Sequence, residues 1–232
     1  MNKKFLNTLF IKTLPVMTGY IVLGIGFGIL FESHGYGLLW SLLMAVFIYA
    51  GSMQFVAINL ITGGASLITT ALTTLMVNAR HLFYGISMID KYKNTGKRKP
   101  YLIFALTDET YSLLCTDDYP EEIEPEKYQT AVSVINHIYW ITGCALGSLI
   151  GSAVNFNTAG IDFCMTALFV TIFVEQWLTA KNHTPALIGL GSTLVCLLVF
   201  GADAFLIPSM VLIAALLLAF KRLFEGQVTE NE

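Results

Sequence analysis

Three short clusters of polar residues interrupt an otherwise apolar sequence, and they are the places where chemistry can happen. The first is Tyr49, Ser52, Gln54 and Asn59; the second is Asn78, Arg80 and His81, followed by Tyr84; the third is Asp108, Glu109 and Tyr111. A guanidinium presents paired donors in a plane and suits a carboxylate, so Arg80 is a candidate for holding an anionic group. Amides such as Gln54 and Asn78 carry both donor and acceptor and can orient a polar solute, as can the Tyr111 hydroxyl. Two adjacent carboxylates in an apolar setting do not both stay ionised. Asp108 and Glu109 are therefore suited to exchanging a proton, and His81 is a third such group by type. Helical spacing puts Asn78, His81 and Tyr84 on one stripe, with Arg80 about 100° round from His81. Ser52 and Asn59, seven apart, share a face if their helix is regular.

Each cluster also has a plainer reading. Amides and hydroxyls on membrane helices bond neighbouring helices. Arg80 lies near a basic loop and can snorkel to the interface. The segment carrying Asp108 and Glu109 is short, and at a water surface both acids would merely be solvated.

The elements that must position these residues are membrane helices. Of 232 residues, 55% are hydrophobic and 12% are charged, where a soluble domain carries roughly a quarter charged. Between Gly35 and Val77 no Asp, Glu, Lys or Arg occurs, a run long enough for two spans of about 20 residues. Net charge is −3 and the basic residues form no stripe, so nucleic acid is not an expected partner. Cys115, Cys144, Cys164 and Cys196 are far apart and show no metal-ligand spacing, so they read as packing residues, and no metal or cofactor is expected. Lys3, Lys4 and Lys12 resemble a basic leader, but the apolar run after them is long and lacks an obvious cleavage site, which reads as a retained first span.

Apolar segments fall at 13–31, 38–60, 66–89, 101–115, 132–154, 161–179, 186–201 and 203–220. The expected fold is an all-α integral membrane protein, a polytopic helix bundle with about six to eight membrane segments in one domain, 1–232. The fourth segment is short enough to be re-entrant or tilted. Loop 90–100 is basic and loop 116–130 acidic. Lys91, Lys93, Lys97, Arg98 and Lys99 place their loop in the cytoplasm, and Lys3, Lys4 and Lys12 place the N-terminus there too. Both hold only if a segment between 38 and 89 fails to cross; otherwise the N-terminus is outside. Thr18-Gly19 with Leu23-Gly24 is echoed by Thr142-Gly143 with Leu146-Gly147. The echo suggests two half-repeats, 13–115 and 132–220, and chance is its competitor. Gly24 and Gly28, and Gly143, Gly147 and Gly151, are spaced to give small faces that let helices touch.

Other polar residues read as structural. Asp162 and Glu175 sit at the two ends of one segment, near opposite interfaces. Asp203 opens the last apolar run, and Pro208 is expected to kink it. His34, His137 and His183 read as packing or interfacial residues. His137, beside Asn136 and Tyr139-Trp140, reads as part of an interfacial aromatic belt.

Three stretches resemble signatures of the AzlC family, the large subunits of branched-chain amino acid exporters. They are Tyr49-Ala-Gly-Ser-Met-Gln-Phe55, Val77-Asn-Ala-Arg-His-Leu-Phe-Tyr-Gly85 and Leu106-Thr-Asp-Glu-Thr-Tyr111; Gly160-Ile-Asp-Phe163 also fits. Length and segment order agree over nearly the whole chain. The resemblance implies a multi-pass secondary transporter of the cytoplasmic membrane that exports leucine, isoleucine, valine and similar neutral amino acids, driven by the proton gradient. It also implies a small hydrophobic partner subunit of the AzlD type. It assigns no binding residues. Substrate binding by Gln54, Asn78, Arg80 and Tyr111, and proton coupling by His81, Asp108 and Glu109, are inferences from burial cost and chemistry.

Three other classes compete. A passive channel needs no coupling acids. An ATP-driven permease subunit needs a separate ATPase, because the chain has no Gly-x-x-x-x-Gly-Lys loop. An intramembrane hydrolase would need Ser52 and His81 in hydrogen-bond contact, and the expectation is that the chain is not an enzyme.

Overall fold

The computed structural model describes residues 3–115, 123–154, 160, 163–180, 182–201 and 205–220. Regular structure among them is helical, and the chain divides into two compact units, Met1–Ala167 and Leu168–Glu232.

The first unit is built on two long apolar helices, α1 (Lys3–Ser33) and α8 (Pro125–Ala153). At about 1.5 Å per residue each is longer than the roughly 30 Å apolar core of a bilayer. They lie side by side in the same direction. Thr13 Oγ1 is 3.3 Å from Tyr139 Oη, and further along both helices Ser148 Oγ donates to Glu32 Oε2 at 2.6 Å. The two glycine faces expected from the sequence meet each other in between. A Cβ on Gly24 would stand 2.9 Å from backbone atoms of Gly143 and Cys144, and one on Gly143 would stand 2.8 Å from the Tyr20 carbonyl. In lipid no hydrophobic drive joins two helices, so such close backbone approach and its dispersion gain supply the contact. The α1 N-terminal end of this pair is termed the near end, and the opposite end the far end.

Against this pair lean two hairpins of half-length helices. The 38–60 segment is not one regular helix but α2 (Leu38–Phe47) and α3 (Gly51–Thr62), broken at Tyr49. α2 runs antiparallel to α8 from the far end, since Ser41 Oγ donates to the Cys144 carbonyl and His137 Nε2 lies 3.2 Å from the Ala45 carbonyl. α3 then turns back, with Phe55 edge-on to Phe27 and Ile58 in the cluster of Phe27 and Phe31. The break has a cost: Tyr49 has φ +42°, a left-handed conformation that strains a bulky residue. It is held by stacking on His137, with ring centroids 4.1 Å apart.

The 66–89 segment is α4 (Leu67–Val77) and α5 (Ala79–Ser87), interrupted at Asn78. Its end at Met88 joins Leu9, Tyr92, Leu114 and Tyr128 in the near-end cluster. The fourth segment enters from that end as α6 (Lys99–Phe104), breaks at Ala105–Thr107, and returns as α7 (Asp108–Leu114). Lys91 Nζ donates to the Leu114 and Cys115 carbonyls, at 3.3 and 2.6 Å, and so caps the returning helix. The 38–60 and 101–115 segments are thus re-entrant, from opposite ends. This resolves the conflict in the basic residues: the α1 N-terminus and loop 90–100 lie at the same end, because 38–60 does not cross.

Outward faces are apolar. Leu67 is 89% exposed, and Phe47, Ile68, Phe83 and Ile86 are also strongly exposed, a surface suited to lipid rather than water. The fold is that of an all-α membrane protein.

α9 (Phe163–Thr179) begins in the first unit and ends in the second. In the second unit, α10 (Thr184–Phe200) packs on α11 (Leu206–Ala219). Leu198 is 86% exposed. Pro208 is the third residue of α11 and does not kink it in mid-course as expected, because the first turn has no N–H bond to lose. Asp162, Asp203 and the side chain of Glu175 lie outside the described residues.

The glycine contact yields a test. Gly147→Leu forces a side chain into the Ile25 backbone, whereas Gly19 has open space around its α-carbon. Thermal unfolding in detergent is expected to show about 1–3 kcal/mol or more of destabilisation for Gly147→Leu, and little change for Gly19→Leu.

Candidate functional site

The two hairpin tips and the α4–α5 break meet at the middle of the first unit. Tyr49, at one tip, lies against Phe104 at the other, with ring centroids 6.1 Å apart, and both contact His137 of α8. Irregular backbone at membrane depth is tolerated only where protein or a wet cavity surrounds it. α3 and α5 both start at this level, and helix N-termini favour negative charge.

Arg80, in the first turn of α5, bridges the hairpins. Its Nη1 forms a 2.5 Å ion pair with Asp108 Oδ2 of α7, and its Nη2 donates to Ser52 Oγ of α3 at 3.0 Å. It therefore points inward rather than snorkelling to the interface. The pair is only partly enclosed, with side chains 25% and 22% exposed. Arg80 Nε and Asp108 Oδ1 are each buried without a hydrogen-bond partner.

Glu109 follows Asp108 but faces α1. Tyr20 Oη donates to Glu109 Oε2 at 2.7 Å and lies 2.6 Å from Thr107 Oγ1. Thr107 Oγ1 donates to Thr110 Oγ1 at 3.1 Å, and Asn136 Nδ2 of α8 donates to the same oxygen. Thr107 also caps α7 through the Thr110 N–H. Among the described residues no ion pair reaches Glu109.

The remaining candidates are placed as follows. Gln54 is fully buried and its Oε1 accepts from Trp140 Nε1 at 2.8 Å, while its Nε2 has no partner. Asn78 occupies the helix break, with Oδ1 buried and unpartnered. His81 Nδ1 lies 3.2 Å from the Asn78 carbonyl, and its ring meets Tyr84 edge-on. Tyr111 sits one turn nearer the near end, stacked on Tyr84 at 4.5 Å and accepting from Ser87 Oγ. Arg80, Asp108, Ser52 and Asn78 are thus brought together. Glu109 and Gln54 lie on the α1 and α8 side, and Tyr111 lies toward the near end. Ser52 is engaged by Arg80 and no hydrogen bond joins it to His81, so the geometry a serine hydrolase needs is not formed. Asn59, on the Ser52 face of α3, is exposed at the far end of that helix.

The sequence reading singles out Tyr49 but not Tyr20, Thr107, Thr110 or Asn136 as site residues, nor His137 and Trp140. The last two are buried centrally, at 8% and 3% exposure, and not in an interfacial belt. A signal existed. Gln129, Ser133, Asn136, Trp140, Gly143 and Gly147 recur at alternating steps of four and three, which marks one inward face of α8. Among the described residues no group of three His, Cys, Asp or Glu could hold a metal ion.

Sequence comparison places the chain among membrane proteins. Residues 15–154, which contain all of these site residues, match the family described as AzlC protein. The branched-chain amino acid transport protein AzlC of Bacillus subtilis (strain 168) is 45% identical over 213 residues, covering 92% of this chain and 84% of that one. An uncharacterized membrane protein of Helicobacter pylori (strain ATCC 700392 / 26695) is 42% identical, covering 93% and 95%. The inner membrane protein YgaZ of Escherichia coli (strain K12) is 27% identical, covering 76% of each. No solved structure matches. The family match over residues 15–154 and the 45% identity over most of the chain show that this chain belongs to the AzlC family.

Proposed function

We propose that the protein is a multi-pass secondary transporter of the cell membrane that exports branched-chain and similar neutral amino acids. The observation that carries this reading is the meeting of two re-entrant tips and a broken helix around Arg80. Discontinuous helices with half-helix ends at mid-depth are the usual site of secondary transporters, and a planar guanidinium suits a substrate carboxylate. The 45% identical relative named as a branched-chain amino acid transport protein supports the substrate class. Gln54 and Asn78 each keep an unpaired polar atom for orienting a solute. Aromatic rings of Tyr49 and Phe104 offer an apolar wall for a branched side chain.

Coupling to protons is assigned to one of the two adjacent acids, Asp108 or Glu109. Both carboxylates sit in an apolar interior where charge is expensive, and intramembrane acids are the usual proton carriers of transporters. Tyr111, one turn toward the near end, and His81, next to Arg80 in α5, are the proposed way out for a proton or substrate. A small AzlD-type membrane subunit is the proposed partner. The near end faces the cytoplasm, since Lys91, Lys93, Lys97, Arg98 and Lys99 and the basic N-terminus lie there together.

Two measurements check this. Efflux of labelled leucine, valine and methionine from vesicles under an imposed pH gradient, with and without the partner subunit, is expected to be abolished by Arg80→Ala. Arg80→Lys keeps the charge but not the paired donors, and is expected to lower efflux about tenfold or more. Unchanged efflux in both variants would sink the assignment of Arg80. In a cysteine-free background, single cysteines replacing Lys4 and Lys97 are expected to be labelled from the cytoplasmic side, and one replacing Gly64 from outside. Labelling of Lys4→Cys and Lys97→Cys from opposite sides would contradict the topology.

A further inference from the structure

The two adjacent acids are built into different machinery, which assigns them different jobs. We propose that the Arg80–Asp108 ion pair is the closed form of a receptor for a zwitterion, and that the transported proton resides on Glu109. A free α-amino acid opens the pair: its carboxylate takes Arg80 and its ammonium takes Asp108. This rests on the transport reading above and extends it, since it states that both charges of the substrate are read and which acid reads the second.

Complementarity is the first support. A guanidinium and a carboxylate facing each other at 2.5 Å are the mirror of an amino acid head group, and an ion pair in an apolar site is not left open. Replacing one internal pair by two substrate pairs keeps every charge compensated, which a lone carboxylate or a lone amine cannot do. The pair is only partly enclosed, at 25% and 22% exposure, and Arg80 Nε and Asp108 Oδ1 each retain unused bonding capacity. Ser52 Oγ holds the guanidinium in place from the opposite hairpin, so Arg80 stays positioned when Asp108 moves away.

Hydrogen accounting is the second support, and it concerns Glu109. Tyr20 Oη has one hydrogen and two short contacts, 2.7 Å to Glu109 and 2.6 Å to Thr107. Thr107 directs its own hydrogen to Thr110 Oγ1. With Glu109 ionised, Tyr20 donates to it, and Thr107 can turn its hydrogen to Tyr20. With Glu109 protonated the row runs the other way: Glu109 donates to Tyr20, Tyr20 to Thr107, and Thr107 to Thr110. Apart from the proton that arrives or leaves, only hydroxyl hydrogens turn between the two arrangements, so this acid gains and loses a proton without moving heavy atoms. Protonating Asp108 would instead break its ion pair with Arg80.

The test is equilibrium binding of labelled leucine to the purified full-length protein in detergent. Competitors are leucine, 4-methylpentanoate, which lacks the ammonium, and 3-methylbutylamine, which lacks the carboxylate. Each half-analogue is expected to compete roughly tenfold to a hundredfold more weakly than leucine. Asp108→Asn is expected to abolish the preference for leucine over 4-methylpentanoate, because leucine loses its ammonium partner and 4-methylpentanoate no longer competes with an internal carboxylate for Arg80, and Asp108→Glu is expected to restore part of the preference. Glu109→Gln is expected to keep leucine binding but lose both its pH dependence and pH-driven efflux. The proposal is overturned if 4-methylpentanoate competes as well as leucine with the unaltered protein, a result that needs no variant to fold. It is also overturned if Asp108→Asn binds leucine normally, or if Glu109→Gln still couples efflux to the pH gradient. Those outcomes leave the transport reading intact. Failure of the unaltered protein to bind leucine at all would remove both.

Discussion

The close approach of α1 and α8 is the constraint on which the rest of the first unit depends. Lipid offers helices no hydrophobic reason to associate, so the contact must come from backbone packing. Gly24, Gly143 and Gly147 make it by leaving no room for a side chain at the crossing. Once those helices are fixed in parallel, they present a common wall. Ala45, Gln54, Tyr101 and Thr110, from both hairpins, all bond to α8 side chains. Tyr20 of α1 ties the second hairpin from the other side. Neither hairpin has enough length to span or enough local bonding to stand alone; the wall holds both at mid-depth.

A broken helix in an apolar medium exposes backbone groups that cannot be left unpaired. The breaks here are covered by particular side chains. His137 approaches the Ala45 carbonyl at the end of α2, Thr107 caps α7, and Lys91 covers the carbonyls where α7 ends. His137 also stacks on Tyr49 and so holds the strained turn. This coverage lets the chain reverse direction inside the protein and brings Ser52, Arg80 and Asp108, from three different helices, to one place. The same reversal sets the topology, because a hairpin that returns to its own side leaves the basic N-terminus and the basic loop together.

Charge in such a place must be balanced locally. Arg80 and Asp108 balance each other, whereas Glu109 accepts from the Tyr20 hydroxyl and, among the described residues, is in no ion pair. Neighbours in sequence thus experience different environments, because successive residues on a helix point about 100° apart. Asp108 looks toward α5 and Glu109 toward α1.

Much of this was legible in the sequence. Absence of charge from Gly35 to Val77 required apolar surroundings, the glycine spacing foretold a close helix contact, and the three polar clusters named Arg80, Asp108 and Glu109 as the expensive residues worth explaining. Each of those conclusions follows from composition and from local spacing, which the chain carries wherever it is placed. What the tertiary structure decided was pairing. Tyr49 stands out in its apolar run, but the break and the strain there become visible only with His137, far away in sequence, stacked against it. Tyr20 and Asn136 looked like ordinary span residues until Glu109 and Thr110 were seen against them. The choice between an outside N-terminus and a segment that turns back could not be made from charges alone, because positive-inside counting fixes sides only once the number of crossings is known. That number depends on contacts between residues remote in sequence, which no local pattern encodes.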